Sequence, residues 1–78
     1  MAEYTPAQLR DLRESVRLEE VADLYAAACN FTDAVVQMKA ANAIRSRILG
    51  KGLDPNELRE RTTAAVASDI RAELDRVE

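Results

Sequence analysis

The chain has 78 residues, a mass of 8.6 kDa and a formal charge of −3, and its 47% hydrophobic and 32% charged residues strike the balance of a globular domain, not a disordered chain. Folding at this mass buries roughly 60% of the unfolded surface, a small core of the kind that leans on disulfides, metals or partners. The single cysteine, Cys29, excludes an internal disulfide. The absence of histidine removes the commonest metal ligand and the usual base near neutral pH, and with it Ser/His/Asp and Cys/His catalysis and His-ligated zinc.

The first helix is marked by Thr5-Pro6-Ala7-Gln8, with Thr5 suited to the N-cap, Pro6 to the first helical position and Gln8 to the return bond of a capping box. Leu9, Leu12 and Val16 then share one face, whereas Leu18, Val21, Ala22, Tyr25 and Cys29 fall on nearly the opposite one. One straight helix cannot bury both sets against one neighbour. A short N-terminal helical arm over 1–14 is therefore expected to bend or break near Ser15–Leu18 before a core helix that ends near Ala28, unless the first turns face a different neighbour from the later ones.

Asn30 and Thr32 are both suitable N-caps for a second helix running from about Asp33 to Leu49. Its main apolar face carries Phe31, Ala34, Val35, Met38, Ala41, Ile48 and Leu49. A second face of smaller residues carries Val36, Ala40, Ala43 and Ile44, the pattern of a helix with neighbours on two sides. Gly50-Lys51-Gly52 stops this helix, with Gly50 expected in the left-handed conformation just past its end. Asp54 as N-cap, Pro55 at the first position, Glu57 at the third and a Leu53/Leu58 staple open a third helix, which carries Leu58, Thr62, Ala65, Val66, Ile70, Leu74 and Val77. The organisation expected is all-α: an arm over 1–14, an antiparallel hairpin over 15–49, a linker over 50–54 and a C-terminal helix over 55–78, forming one small helical bundle.

The residues Val21, Ala22, Tyr25, Phe31, Ala34, Met38 and Ala41 follow the aliphatic, small, aromatic and large/small order of a single tetratricopeptide hairpin, which the stretch from Val21 to Ala41 resembles. Cysteine stands where that turn often has glycine, no proline closes the second helix, and no second copy of the repeat follows. The resemblance implies a close-packed antiparallel helix pair.

Charge is distributed unevenly. Residues 1–30 carry three Arg and six acids, 31–53 two Lys, two Arg and one Asp, and 54–78 four Arg and seven acids, so a basic middle lies between acidic flanks. Lys39, Arg45 and Arg47 do not line up on one face of the second helix, and the total is negative, so no nucleic-acid binding is expected. The longest charge-free run, Leu24 to Thr32, is far short of the ~20 residues of a membrane span. The first residues lack a basic, apolar leader, and the expected location is cytoplasmic. Glu19 with Asp23 and Asp69 with Glu73 sit four apart as paired carboxylates, but without burial such pairs are solvated surface and not acid–base machinery. Cys29, in an Ala-rich stretch without a basic neighbour, is expected to be a small core hydrophobe.

Asn42 and Arg45 break the main apolar face of the second helix, between Met38/Ala41 and Ile48/Leu49. An amide and a charge on a buried seam cost several kcal/mol unless paired. Either an acid on another helix meets Arg45, or the seam is an interface between chains, with Asn42, Arg45, Met38, Ala41, Ile48 and Leu49 as its residues. The function expected is a non-catalytic helical protein–protein interaction or assembly module, self-associating or a small subunit of a larger complex, with no cofactor or metal and with a protein as partner. The alternative is a dimeric helix-turn-helix DNA-binding regulator, with Leu18–Tyr25 as first helix, Thr32 onward as recognition helix, and Ala26 where the turn favours glycine.

Overall fold

The computed structural model describes residues 4–77 and consists of three helices, α1 (Pro6–Ala27), α2 (Phe31–Leu49) and α3 (Pro55–Val77), with no strand among the described residues. The N-terminal signals act as their chemistry requires. Thr5 Oγ1 accepts from the Gln8 amide at 3.1 Å and Gln8 Oε1 accepts from the Thr5 amide at 2.9 Å, a complete capping box ahead of Pro6. Asp54 Oδ1 accepts from the Glu57 amide at 2.9 Å and the Asp54 carbonyl accepts from the Leu58 amide at 3.0 Å, which makes Asp54 the cap of α3. Asn30 takes the corresponding position for α2, its side chain accepting from the Asp33 amide at 3.3 Å while its amide nitrogen donates to Asp33 Oδ2 at 2.7 Å. The helix therefore starts at Phe31, two residues before the expected Asp33.

The expected break in the first helix is absent: α1 runs unbroken from Pro6 to Ala27. Its two apolar sets are reconciled by different neighbours. The early turns lie beside the second half of α3, where Arg13 Nη2 reaches Asp69 Oδ2 at 2.6 Å and Glu73 Oε1 at 3.1 Å. Along its whole length α1 packs chiefly on α2, from Asp11 beside Arg47 to the turn at Ala27. Ala22, Ala34 and Ala41 are buried in the hairpin, where small side chains let the helices approach closely, and Leu12 is fully enclosed. Asp11 of α1 lies 3.8 Å from Arg47 near the end of α2, while Ala27 and Phe31 are joined by a three-residue turn, so the two helices run antiparallel along their lengths. Helix α3 also runs opposite to α1, its Arg59 level with Glu19 and its Asp69 level with Arg13.

Two turn residues depart from expectation. Cys29 is exposed, not in the core, and holds the left-handed conformation at φ +61°. The bonds from the Asn30 amide to the Tyr25 carbonyl at 2.8 Å and from the Cys29 amide to the Ala26 carbonyl at 3.0 Å form the paired closure that ends a helix in this way, usually with glycine at the site. Gly50, expected to curl in that conformation, instead takes φ +127° with ψ 150°, a region only glycine occupies readily. Its amide still bonds the Ser46 carbonyl at 3.0 Å, and the extended ψ leads the chain away from α2 into the linker.

Candidate functional site: a buried arginine and the surfaces left open

Arg45 is among the most deeply buried side chains of the molecule, with 2% of its side chain exposed, and it projects from α2 toward α1. Its Nε donates to Ser15 Oγ at 3.0 Å, and the Ser15 hydroxyl donates in turn to the Leu12 carbonyl at 2.6 Å. Its Nη1 lies 2.8 Å from Glu19 Oε1, an ion contact without hydrogen-bond alignment, so that both atoms are buried with no hydrogen-bond partner. The other Glu19 oxygen, Oε2, meets Arg59 Nε of α3 at 3.2 Å. Glu19 thus sits between two guanidinium groups and joins all three helices. On α1 the residues behind this arrangement are Leu12, Ser15, Glu19 and Ala22, spaced three and four apart, so the stripe that faces the core has two polar residues at its centre.

Of the six seam residues singled out in the sequence, Arg45 and Ala41 are enclosed by the chain's own helices, and Asn42, Met38, Ile48 and Leu49 are half-buried. The acid that meets Arg45 comes from α1 and not from another chain. Asn42 Oδ1 is buried without a hydrogen-bond partner. Glu19 was readable in the sequence as one half of a carboxylate pair, but not as the partner of Arg45. The signal was its register: among the acids of α1 it continues the line of Leu12 and Ala22.

The second carboxylate pair has the same fate. Asp69 and Glu73 both clasp Arg13, on the floor of an open trough of about 700 Å³ that is also lined by Leu9, Arg10 and Arg76. With both acids committed to one arginine, the trough holds no free acid–base pair. Among the described residues no three His, Cys, Asp or Glu side chains are placed to hold a metal ion, and no helix is long and apolar enough to cross a membrane.

What remains is apolar surface. Leu24 and Phe31, 71% and 62% exposed, flank the tip of the hairpin; Val35 and Val36, 51% and 56% exposed, stand on α2; Ile70 and Leu74 stand four apart on α3. On a helix of 100° per residue Val36 points about 160° away from Ala34 and 140° from Ala41, so it lies on the face of α2 opposite to the core. Comparison of the chain with family models, with curated proteins and with solved structures gives no match.

Proposed function

We propose that this chain is a non-catalytic helical module that works by covering its exposed apolar faces with another protein chain, as a self-associating unit or a small subunit of a complex. The observation that carries the reading is the imbalance between core and surface. The buried apolar side chains are Leu12, Ala22, Ala34, Ala41 and Leu58, three of them alanines, while six larger hydrophobic residues stand exposed. Scattered exposed hydrophobes are ordinary, but contiguous apolar faces mark interaction surfaces. Of the four carboxylates that stand in pairs in the sequence, Glu19, Asp69 and Glu73 are committed to arginines of other helices.

The helix-turn-helix alternative is weaker, because that motif crosses its helices at about 90–120° around the turn and the helices of this hairpin lie side by side. The test is the size of the chain purified under native conditions from the cells that make it. A complex larger than the 8.6 kDa chain is expected. Recovery of the chain alone, as a monomer, overturns the reading.

A further inference from the structure

Along the outward side of α2, Asp33, Val36, Ala40, Ala43 and Arg47 follow one another at steps of three, four, three and four, and all five are exposed. This is the spacing of a coiled-coil seam. It lies opposite to the side that packs in the bundle, where Ala34, Ala41 and Arg45 are buried. The middle of the seam is apolar and its ends carry opposite charges. Arg47 has an ionic neighbour in Asp11, but only at 3.8 Å, and 68% of its side chain remains exposed.

Resting on the assembly reading above, we propose that the occupant of this face is a second copy of the same chain, bound antiparallel about a two-fold axis that passes beside Ala40. In that register Ala40 meets its own counterpart once, on the axis, while the contacts of Val36 with the partner copy's alanine at position 43 and of Asp33 with the arginine at position 47 each occur twice, as two-fold symmetry requires. Alanines at the crossing allow the helix axes to come to the short end of the ~8–10 Å range. A parallel arrangement sets aspartate against aspartate and arginine against arginine, so the charges select the antiparallel one. Area supports a partner of this size. The chain exposes 5751 Å², whereas about 4,700 Å² is typical for its mass, and the difference is comparable with the ~800 Å² that each partner buries in a standard interface. Lys39 flanks the seam close to the axis, where the two copies' ammonium groups oppose one another and limit the affinity.

The experiment is sedimentation equilibrium of the recombinant full chain with charge-reversed variants. The wild type is expected to dimerise. Asp33→Arg or Arg47→Asp alone weakens the dimer by about tenfold or more, the combined Asp33→Arg/Arg47→Asp variant recovers it, and Lys39→Ala tightens it. Circular dichroism is recorded for each variant, because Asp33 also accepts from the Asn30 side-chain amide at the start of α2 and Arg47 lies beside Asp11. Recovery of the dimer in the combined variant, which lacks both local contacts, separates the pairing between copies from these effects. Orientation is read separately in a Cys29→Ala background. Ala40→Cys is expected to form a disulfide-linked dimer. Asp33→Cys and Arg47→Cys are each expected to cross-link when mixed together but not when incubated alone. A wild-type chain that stays monomeric at millimolar concentration, a dimer indifferent to the charge reversals, or Asp33→Cys linking to itself overturns the proposal. If the recombinant chain is monomeric while the native chain purifies with a different protein, this pairing fails and the assembly reading stands.

Discussion

At the scale of single residues, Arg45 and Cys29 show how context overrides residue type. A guanidinium withdrawn from water is tolerated only where its charge and its donors are met. Arg45 satisfies this with Glu19 at 2.8 Å and Ser15 at 3.0 Å, so its value to the fold lies in matching α2 to α1 and not in net attraction. Arg45→Ala removes one partner and leaves Glu19 with only Arg59. The expected loss is about 3 kcal/mol, the low end for stripping a buried pair, out of a total of about 4–12 kcal/mol for a domain this long. Replacing both members, as Glu19→Met/Arg45→Met, is expected to be close to neutral, since Ser15 still bonds the Leu12 carbonyl. Urea unfolding of Arg45→Ala and of the double variant decides it: equal losses in the two would show that the charges contribute net stability. For Cys29 the expected sign is the reverse. An L-residue in the left-handed region costs roughly 1–2 kcal/mol, partly offset in the unfolded chain when glycine replaces it. Cys29→Gly should therefore stabilise the protein by up to about 1 kcal/mol, read as a higher urea midpoint, and a lower midpoint would mean that the thiol makes contacts of its own.

At the scale of helices, the starts of α1 and α3 were legible in the sequence, and that of α2 was narrowed to two candidate caps, because capping is local chemistry. Thr5, Asn30 and Asp54 each satisfy an amide three residues on, and nothing distant can change that requirement. The third start is also pH-dependent. The Glu57 amide donates to the Asp54 carboxylate and holds its pKa below the ordinary 3.8, against an opposing effect of desolvation. A carboxyl group whose pKa is lower in the folded state contributes stability that is complete above its unfolded value and lost as the pH falls through its folded one. Asp54→Ala is thus expected to lower the melting temperature at pH 7, and the gap to the wild type should close below about pH 3.8. Asp54→Asn, still a good cap, should keep most of the stability without that pH dependence. A gap for Asp54→Ala that persists unchanged into acid would show that the loss does not come from the charged cap. What the sequence hid was tertiary. The apparent conflict between Leu9/Leu12/Val16 and Leu18/Val21/Tyr25 suggested a broken helix, because periodicity records which residues want burial and not how many neighbours supply it. Two neighbours, α3 and α2, resolve it without a bend. Ser15 and Glu19 were hidden for a related reason: a pattern search looks for apolar stripes, and the centre of this one is polar.

At the scale of the whole molecule, the arrangement is open. A radius of gyration of 13.6 Å exceeds the ~11.5 Å of a compact domain of this length, and the principal extents of 43 × 29 × 18 Å describe a flat, elongated body. The second half of α3 contributes to this shape, since Ile70 through Arg76 are all exposed and the link from Arg13 to Asp69 and Glu73 ties this stretch to α1. Such a body offers much surface, and its electrostatics bear on which partners that surface suits. The net charge is −3 and the basic middle of the sequence does not become a basic face, because Arg45 points inward to Glu19 while Lys39 and Arg47 point outward. On α1 and α3, Arg13 and Arg59 are also neutralised by carboxylates. Along α2, the one helix with a basic excess, a duplex or single strand would meet no continuous row of free cations, since Arg45 is buried and Lys39 and Arg47 stand eight residues apart. Counterion release, the main source of non-specific affinity, needs such a row. Binding to DNA or RNA at physiological salt is accordingly expected to be no tighter than about 10⁻⁴ M. Fluorescence anisotropy with a labelled duplex and a labelled single strand, across a salt series, measures this directly. Sub-micromolar binding that weakens steeply with salt would mean that the outward cations of α2 act together after all, and would favour a nucleic-acid partner over a protein one.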